Sequence, residues 1–116
     1  MKNKVIVLVL GYKTIKYLDE CISSLTKQTY KNFEIWFGDN NSNDGSVEYL
    51  NKNFPKIRTF QFKENSGYAG GNNKLIKKAF ENEADLIFQD EVHGNLFEQI
   101  EQTMDLLFTK YIKAFL

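Results

Sequence analysis

Short apolar runs alternate with helical patterns four times along this chain, and no other property restricts its fold as tightly. Val5 to Leu10 is a continuous aliphatic, β-branched run, as a strand buried on both faces requires. Ile15, Leu18, Ile22 and Leu25 then recur at helical spacing, so Thr14 to Lys27 is expected to be an amphipathic helix. Phe33 to Gly38 is a second apolar run. Ser46 to Asn53 reads as a short helix with Val47 and Leu50 inward, Ser42 or Asp44 available to cap it, and Pro55 closing it. Ile57 to Phe62 alternates Ile57, Thr59 and Gln61 against Arg58, Phe60 and Phe62, which suits a strand near a sheet edge. Gly70 to Glu83 is expected to be a helix carrying Leu75, Ile76, Ala79 and Phe80, and Asp85 to Phe88 a fourth, short strand. A last helix is expected from Asn95 to Phe115, with apolar positions at Leu96, Ile100, Met104, Leu107, Tyr111 and Phe115.

Strands that alternate with helices pair in parallel through right-handed crossovers. The expected architecture is therefore α/β: a Rossmann-like, doubly wound, mostly parallel sheet of about four strands, ordered 3-2-1-4. The length suits one domain over residues 1–116. Fifteen basic and fifteen acidic residues cancel, so no electrostatic argument favours nucleic acid as the main partner. The single cysteine, Cys21, excludes an internal disulfide and fits a reducing compartment. It lies beside the helical stripe and reads as a small buried apolar residue. The first apolar run is too short to span a bilayer and is not followed by a small-residue cleavage site.

Ligands of open α/β sheets bind at the carboxyl ends of the strands, so the exit loops carry the functional information. The loop after the first strand, Gly11-Tyr12-Lys13, is not a Gly-x-Gly-x-x-Gly fingerprint, which argues against a nicotinamide or flavin cofactor. No Gly-Lys-Ser or Gly-Lys-Thr is present, which removes the P-loop. Two polar clusters follow instead. The second strand ends in Asp39-Asn40-Asn41-Ser42-Asn43-Asp44-Gly45-Ser46, and one βα unit later comes Glu64-Asn65-Ser66-Gly67-Tyr68-Ala69-Gly70-Gly71-Asn72-Asn73. Together they read as a nucleotide site built from two loops.

A carboxylate at a strand end can accept the N3–H of a pyrimidine, and Asp39 stands there. Tyr12 can pack on the base face, a contact worth about 1–3 kcal/mol. Asn41 can hold the base or ribose edge. Asn65 with Gly67, Gly70 and Gly71 lets backbone N–H groups approach the nucleotide, the following helix N-terminus favours anionic oxygens, and Asn72 and Asn73 finish the loop. The competing reading makes Asp39, Asn41, Ser42 and Asp44 turn and cap residues only, a role those residue types also fill.

In this order and spacing the motifs resemble glycosyltransferase family 2, whose members have the GT-A fold. The matching pieces are the first strand with Tyr12, the helix from Tyr17 to Leu25, the bridge from Gln28 to Ile35 and the two polar clusters, over about residues 4–92. The two clusters resemble the rhamnosyltransferase-like branch. The resemblance implies a UDP- or dTDP-sugar donor, inverting transfer to a glycan or lipid-linked acceptor, and a place in polysaccharide biosynthesis. It implies a cytoplasmic domain, peripheral to the inner face of a membrane. In the family an acidic pair after the fourth strand holds Mg²⁺ or Mn²⁺ against the diphosphate; Asp90 and Glu91 match that place, after a strand that looks about two residues short. Glu91 replaces the usual aspartate, and Leu75 a common glycine. His93 follows closely, with exposure as its default reading. Nothing matches the family's catalytic base or acceptor half, so a shortened domain, weakly active or inactive alone, is expected; the alternative is a non-catalytic nucleotide-binding or regulatory module. The fourth strand and the apolar stripe of the last helix point to a homodimer or a partner chain.

Overall fold

The computed structural model describes residues 4–27 and 31–91. Seven elements alternate: β1 (Val5–Gly11), α1 (Ile15–Thr26), β2 (Glu34–Asp39), α2 (Ser46–Asn53), β3 (Arg58–Gln61), α3 (Gly67–Glu81) and β4 (Leu86–Glu91). The expected last helix and His93 lie outside the described residues.

All strand pairs are parallel, in the order β3-β2-β1-β4. This is the order expected from the alternation. Central β1 explains its own composition. Val5, Val7 and Val9 face α1 and α2 and pack with Leu18, Cys21, Ile22, Leu25, Phe37 and Leu50. Ile6, Leu8 and Leu10 face α3 and pack with Trp36, Phe62, Leu75 and Ala79. A strand covered on both sides has no position for a polar residue, hence the unbroken run. Each large aliphatic side chain buried this way contributes about 1.5–3 kcal/mol. Cys21 is buried among them, as its place beside the stripe implied.

α3 lies close on the sheet. A Cβ added at Gly38 would stand 2.8 Å from the Phe62 ring and 3.0 Å from Leu75, so the glycine makes room for the leucine. The leucine at position 75 thus packs against a glycine across the contact. The start of β4 is bound to the start of β1: Lys4 N–H donates to Asp85 Oδ2 at 2.6 Å and Asp85 N–H to the Lys4 carbonyl at 2.8 Å. α1 and α2 are joined by the Tyr49 hydroxyl donating to Asp19 at 2.7 Å.

The end of β4, the start of α3 and the placement of Phe80 differ from the sequence expectation. β4 runs to Glu91 instead of ending at Phe88, so Asp90 and Glu91 are strand residues, paired with Val9 and Leu10. The parallel ladder with β1 supplies the order that this short polar stretch does not signal on its own. α3 begins at Gly67, three residues earlier than expected, because helical hydrogen bonding tolerates Gly70 and Gly71 inside the first turns. Phe80, one of the four apolar residues that mark this helix in the sequence, is 65% exposed.

Candidate functional site

The exits of β1 and β2 are held together by backbone. Gly11 and Asp39 are register partners, and the Asn40 N–H donates to the Gly11 carbonyl at 2.9 Å. Asn40, 3% exposed, then reaches across to α3: its Nδ2 donates to the Gly67 carbonyl at 3.0 Å, and its Oδ1 accepts the Ser66 N–H at 3.4 Å. A Cβ at Gly71 would lie 2.8 Å from Leu10 and 3.1 Å from Asn40 Nδ2, which is why a glycine faces the sheet here.

These ties enclose a cleft of about 280 Å³ at the carboxyl ends of the strands, lined by Leu10, Gly11, Tyr12, Thr14, Asn40, Asn65, Gly67 and Tyr68. Of the sequence-predicted residues, Tyr12, Asn65 and Gly67 are brought together in its wall. Tyr12 and Tyr68 are both exposed, and the Thr14 hydroxyl is buried without a partner among the described residues. A larger hollow, about 550 Å³, lies at the opposite ends of the strands among Phe33, Ile35, Phe54, Pro55 and Ile57. Its wall is mainly apolar, whereas the smaller cleft combines aromatic faces, amides and a helix terminus.

The start of α3 departs from the expected glycine loop. Asn65 Oδ1 accepts the Gly67 N–H at 2.8 Å, with Gly67 at φ 80°, so this amide is committed to an Asx turn and is not offered to a ligand. Gly70 and Gly71 lie within the helix. Asn72 is buried, its Nδ2 donating to the Tyr68 carbonyl at 3.1 Å while its Oδ1 has no partner among the described residues, and Asn73 is exposed away from the cleft wall. The N–H groups of Tyr68 and Ala69, in the first turn, have no intrahelical acceptor, and this end of the helix dipole favours anions.

Asp39 is 1% exposed and outside the cleft wall. Its Oδ1 accepts the Ser42 hydroxyl; its Oδ2 accepts the Ser42 N–H at 3.0 Å and Gln61 Nε2 at 2.9 Å. Asn41 and Asn43 adopt positive φ, 67° and 52°, as asparagine tolerates in turns, and Asn43 Nδ2 donates to Asn41 Oδ1 at 3.4 Å. Asp44 caps α2 from two residues before its start: Oδ1 accepts the Ser46 N–H at 3.1 Å and the Ser46 hydroxyl at 2.6 Å, and Oδ2 accepts the Ile15 N–H at 3.3 Å. Burial pushes the Asp44 carboxyl up, but bonds from Ser46, Ser42 and Ile15 outweigh it and hold the carboxyl below its ordinary value. The Ser42 hydroxyl lies within reach of both Asp39 and Asp44 (3.0 Å) and has one proton, so it serves one carboxylate at a time. The cluster is thus a wired turn, and its turn roles are real whatever else it does.

The family is decided by comparison with known sequences: the model of "Glycosyl transferase family 2" matches residues 5–112. The chain belongs to this family. An uncharacterized glycosyltransferase of Rickettsia felis is 34% identical over 96% of this chain, and glycosyltransferase GlyG of Streptococcus pneumoniae is 31% identical over 88%. The chain spans 20% of the first relative and 35% of the second. The crystal structure of S. aureus TarS 1-349 in complex with UDP superposes with a TM-score of 0.65 at 26% identity, covering 77% of this chain and 27% of that one. The mannosyltransferase PcManGT of Pyrobaculum calidifontis, solved with GDP-Man and Mn²⁺, shares the fold at a TM-score of 0.59 and 22% identity, covering 68% of this chain and 25% of that one. The parallel sheet and its three described helices are thus the GT-A arrangement of family 2, over the N-terminal part of those transferases.

A divalent ion needs oxygen ligands near the diphosphate. Asp90 and Glu91 supply that donor chemistry and end the strand beside β1, whose own exit forms the cleft. In kind and in position along the sheet they fit Mg²⁺ or Mn²⁺. Among the described residues no group of three metal-ligating side chains exists. No helix among the described residues is long and apolar enough to cross a membrane.

Proposed function

We propose that this domain binds the UDP or dTDP part of a nucleotide sugar and presents the sugar for inverting transfer to a glycan or lipid-linked acceptor. The observation that carries the reading is the cleft at the carboxyl ends of β1 and β2, walled by Tyr12, Asn65 and Gly67 and capped by the N-terminus of α3. Its support is membership of a family whose solved relative TarS was crystallised with UDP and with UDP-GlcNAc.

In this assignment the pyrimidine lies over the β2 exit, with its N3–H toward Asp39 and its face on Tyr12. Asn41 approaches the ribose edge. The diphosphate meets the first turn of α3, and Asp90 with Glu91 hold Mn²⁺ or Mg²⁺, which supplies countercharge to a diphosphate leaving group. Gly70, Gly71 and Asn72 act indirectly, by setting how closely α3 approaches the sheet. Asn73, exposed on the helix, has no part in the cleft. A cytoplasmic place at the inner face of a membrane belongs to the same reading, with the buried, unbridged Cys21 in accord with a reducing compartment, and β4, a border strand among the described residues, offers an edge for a second copy or a partner chain.

The test is titration of the purified chain with UDP, dTDP, CDP and ADP, with and without Mn²⁺. Saturable binding of UDP and dTDP in preference to ADP is expected. Binding of none of them would leave the cluster with its turn roles alone. A non-catalytic module differs from a transferase domain in a second readout: binding persists, but hydrolysis of UDP- or dTDP-sugars is absent.

A further inference from the structure

We propose that Gln61 is a specificity-determining residue whose side-chain amide occupies the place on Asp39 that the N3–H of uracil or thymine takes, and that it must release Asp39 for the base to bind. The inference rests on the proposed pyrimidine site at Asp39.

The geometry is that of a stand-in. Asp39 Oδ2 accepts two N–H groups, from Ser42 at 3.0 Å and from Gln61 at 2.9 Å, which fills that oxygen. The remaining donor, the Ser42 hydroxyl on Oδ1, belongs to the same turn as the Ser42 N–H, three residues from Asp39. Those two bonds are internal to the loop and hold its shape. Gln61 differs from them. It sits at the end of β3, the outer strand of the sheet among the described residues, in register with Asp39, and it is exposed. Its Nε2 also donates to the Phe62 carbonyl at 3.1 Å. Both neighbours of that nitrogen are acceptors, so the amide can only point its NH₂ at them. An amide N–H aimed at a carboxylate oxygen has the polarity of an imide N–H aimed at the same atom. Of the three donors, Gln61 is the one that can leave for water without unfolding the turn.

Two consequences follow. With Gln61 in place, Asp39 is 1% exposed and a base that approaches Oδ2 meets an oxygen already filled by two N–H donors. Binding therefore exchanges one hydrogen bond for another, and base recognition comes at a discount in affinity that Gln61 sets. The discount applies only to bases that donate from N3. Cytosine presents an acceptor there and gains nothing when the amide departs.

The experiment compares wild type, Gln61→Leu, Gln61→Ala and Asp39→Ala by calorimetric titration with UDP and CDP, with thermal unfolding as the check on folding. Both Gln61 variants should bind UDP about three- to tenfold more tightly, the worth of one competing hydrogen bond, with CDP unchanged. Leucine keeps the bulk of glutamine, so agreement of the two variants assigns the effect to the amide. Weaker UDP binding in folded Gln61 variants would overturn the proposal, since Gln61 would then be a support for Asp39. Equal changes for UDP and CDP, or no change while Asp39→Ala loses UDP, would overturn it as well. If Asp39→Ala leaves UDP binding intact, the pyrimidine site itself is misplaced, and the proposal falls with it for that separate reason.

Discussion

Asn40 Nδ2 donates to the Gly67 carbonyl at 3.0 Å, and this bond joins the exit of the second strand to the first residue of the third helix. With Asn40 Oδ1 on the Ser66 N–H and the Asn40 N–H on Gly11, one nearly buried side chain and its backbone fix three of the segments that form the cleft. Asn40→Ala should leave buried polar groups without partners and cost about 1–3 kcal/mol of stability. UDP binding should fall as well, because the wall at Gly67 is no longer tied to the β2 exit. A variant that is destabilised yet binds UDP normally would show that the tie serves folding only. Chemical denaturation paired with UDP titration separates the two.

The order of strands and the two-sided core were legible because β1 has no polar position and the helices repeat at regular spacing. The site was legible in its residue types but not in its wiring. Asn40 carries no signal of its own in the sequence, since nothing in a run of Asp-Asn-Asn-Ser says which amide turns inward. Its location on the α3 side of β2, against Gly71, decides that. The glycine-rich stretch read as a loop because glycine lowers helix propensity, whereas close packing under Leu10 requires small residues within a helix. The length of β4 was misread for a related reason: Gln89-Asp90-Glu91 has no strand propensity, and pairing with β1 overrides it. Phe80 stands among the apolar residues that mark α3, yet Ala79 beside it takes the buried position.

Asp44 gives the fold a pH dependence whose sign is fixed by its hydrogen bonds. Its carboxyl is held below the ordinary value in the folded chain, so its contribution is complete above the unfolded value, about 3.9, and is lost as pH falls through the lower, folded value. Asp44→Ala should cost about 0.5–2 kcal/mol at neutral pH, the range for loss of a helix cap. The difference from wild type should begin to shrink as the pH drops below about 4, where the unfolded carboxyl takes up its proton, and vanish below the lower value at which the native carboxyl is itself protonated. Urea unfolding at a series of pH values tests this. A difference independent of pH would mean that shape, not charge, is what Asp44 supplies.

Leu75 and Gly38 should behave as a matched pair. Leu75 is fully buried, and Leu75→Ala should cost about 2–5 kcal/mol by opening a cavity over the sheet. Gly38→Ala should also destabilise, since its Cβ would stand 2.8 Å from the Phe62 ring and 3.0 Å from Leu75. The double variant should be less costly than the sum, because the space vacated by Leu75 receives part of the new methyl group. Strict additivity in a double-mutant cycle would show that Phe62, not Leu75, is the group Gly38 accommodates.

The metal assignment makes a prediction separable from the nucleotide one. Asp90 and Glu91 close the strand adjacent to β1, while the proposed base contact is with Asp39 at the end of β2 on its other side. The two should therefore fail independently. Asp90→Asn removes a charged oxygen ligand but little volume, and it should leave metal-free binding of uridine nearly unchanged. It should abolish most of the tightening of UDP that Mn²⁺ confers on the wild type, because that gain needs a cation shared between the carboxylate and the diphosphate. Slow Mn²⁺-dependent hydrolysis of a UDP- or dTDP-sugar, where the wild-type chain shows it, should be lost in the same variant. Asp39→Ala should give the converse: weaker uridine by about 1.5–3 kcal/mol, with the Mn²⁺ gain on UDP kept. Calorimetric titrations of uridine and UDP, each with and without Mn²⁺, read both effects on one protein. If Asp90→Asn retains the full Mn²⁺ gain, the ion is held elsewhere and the end of β4 has no metal role.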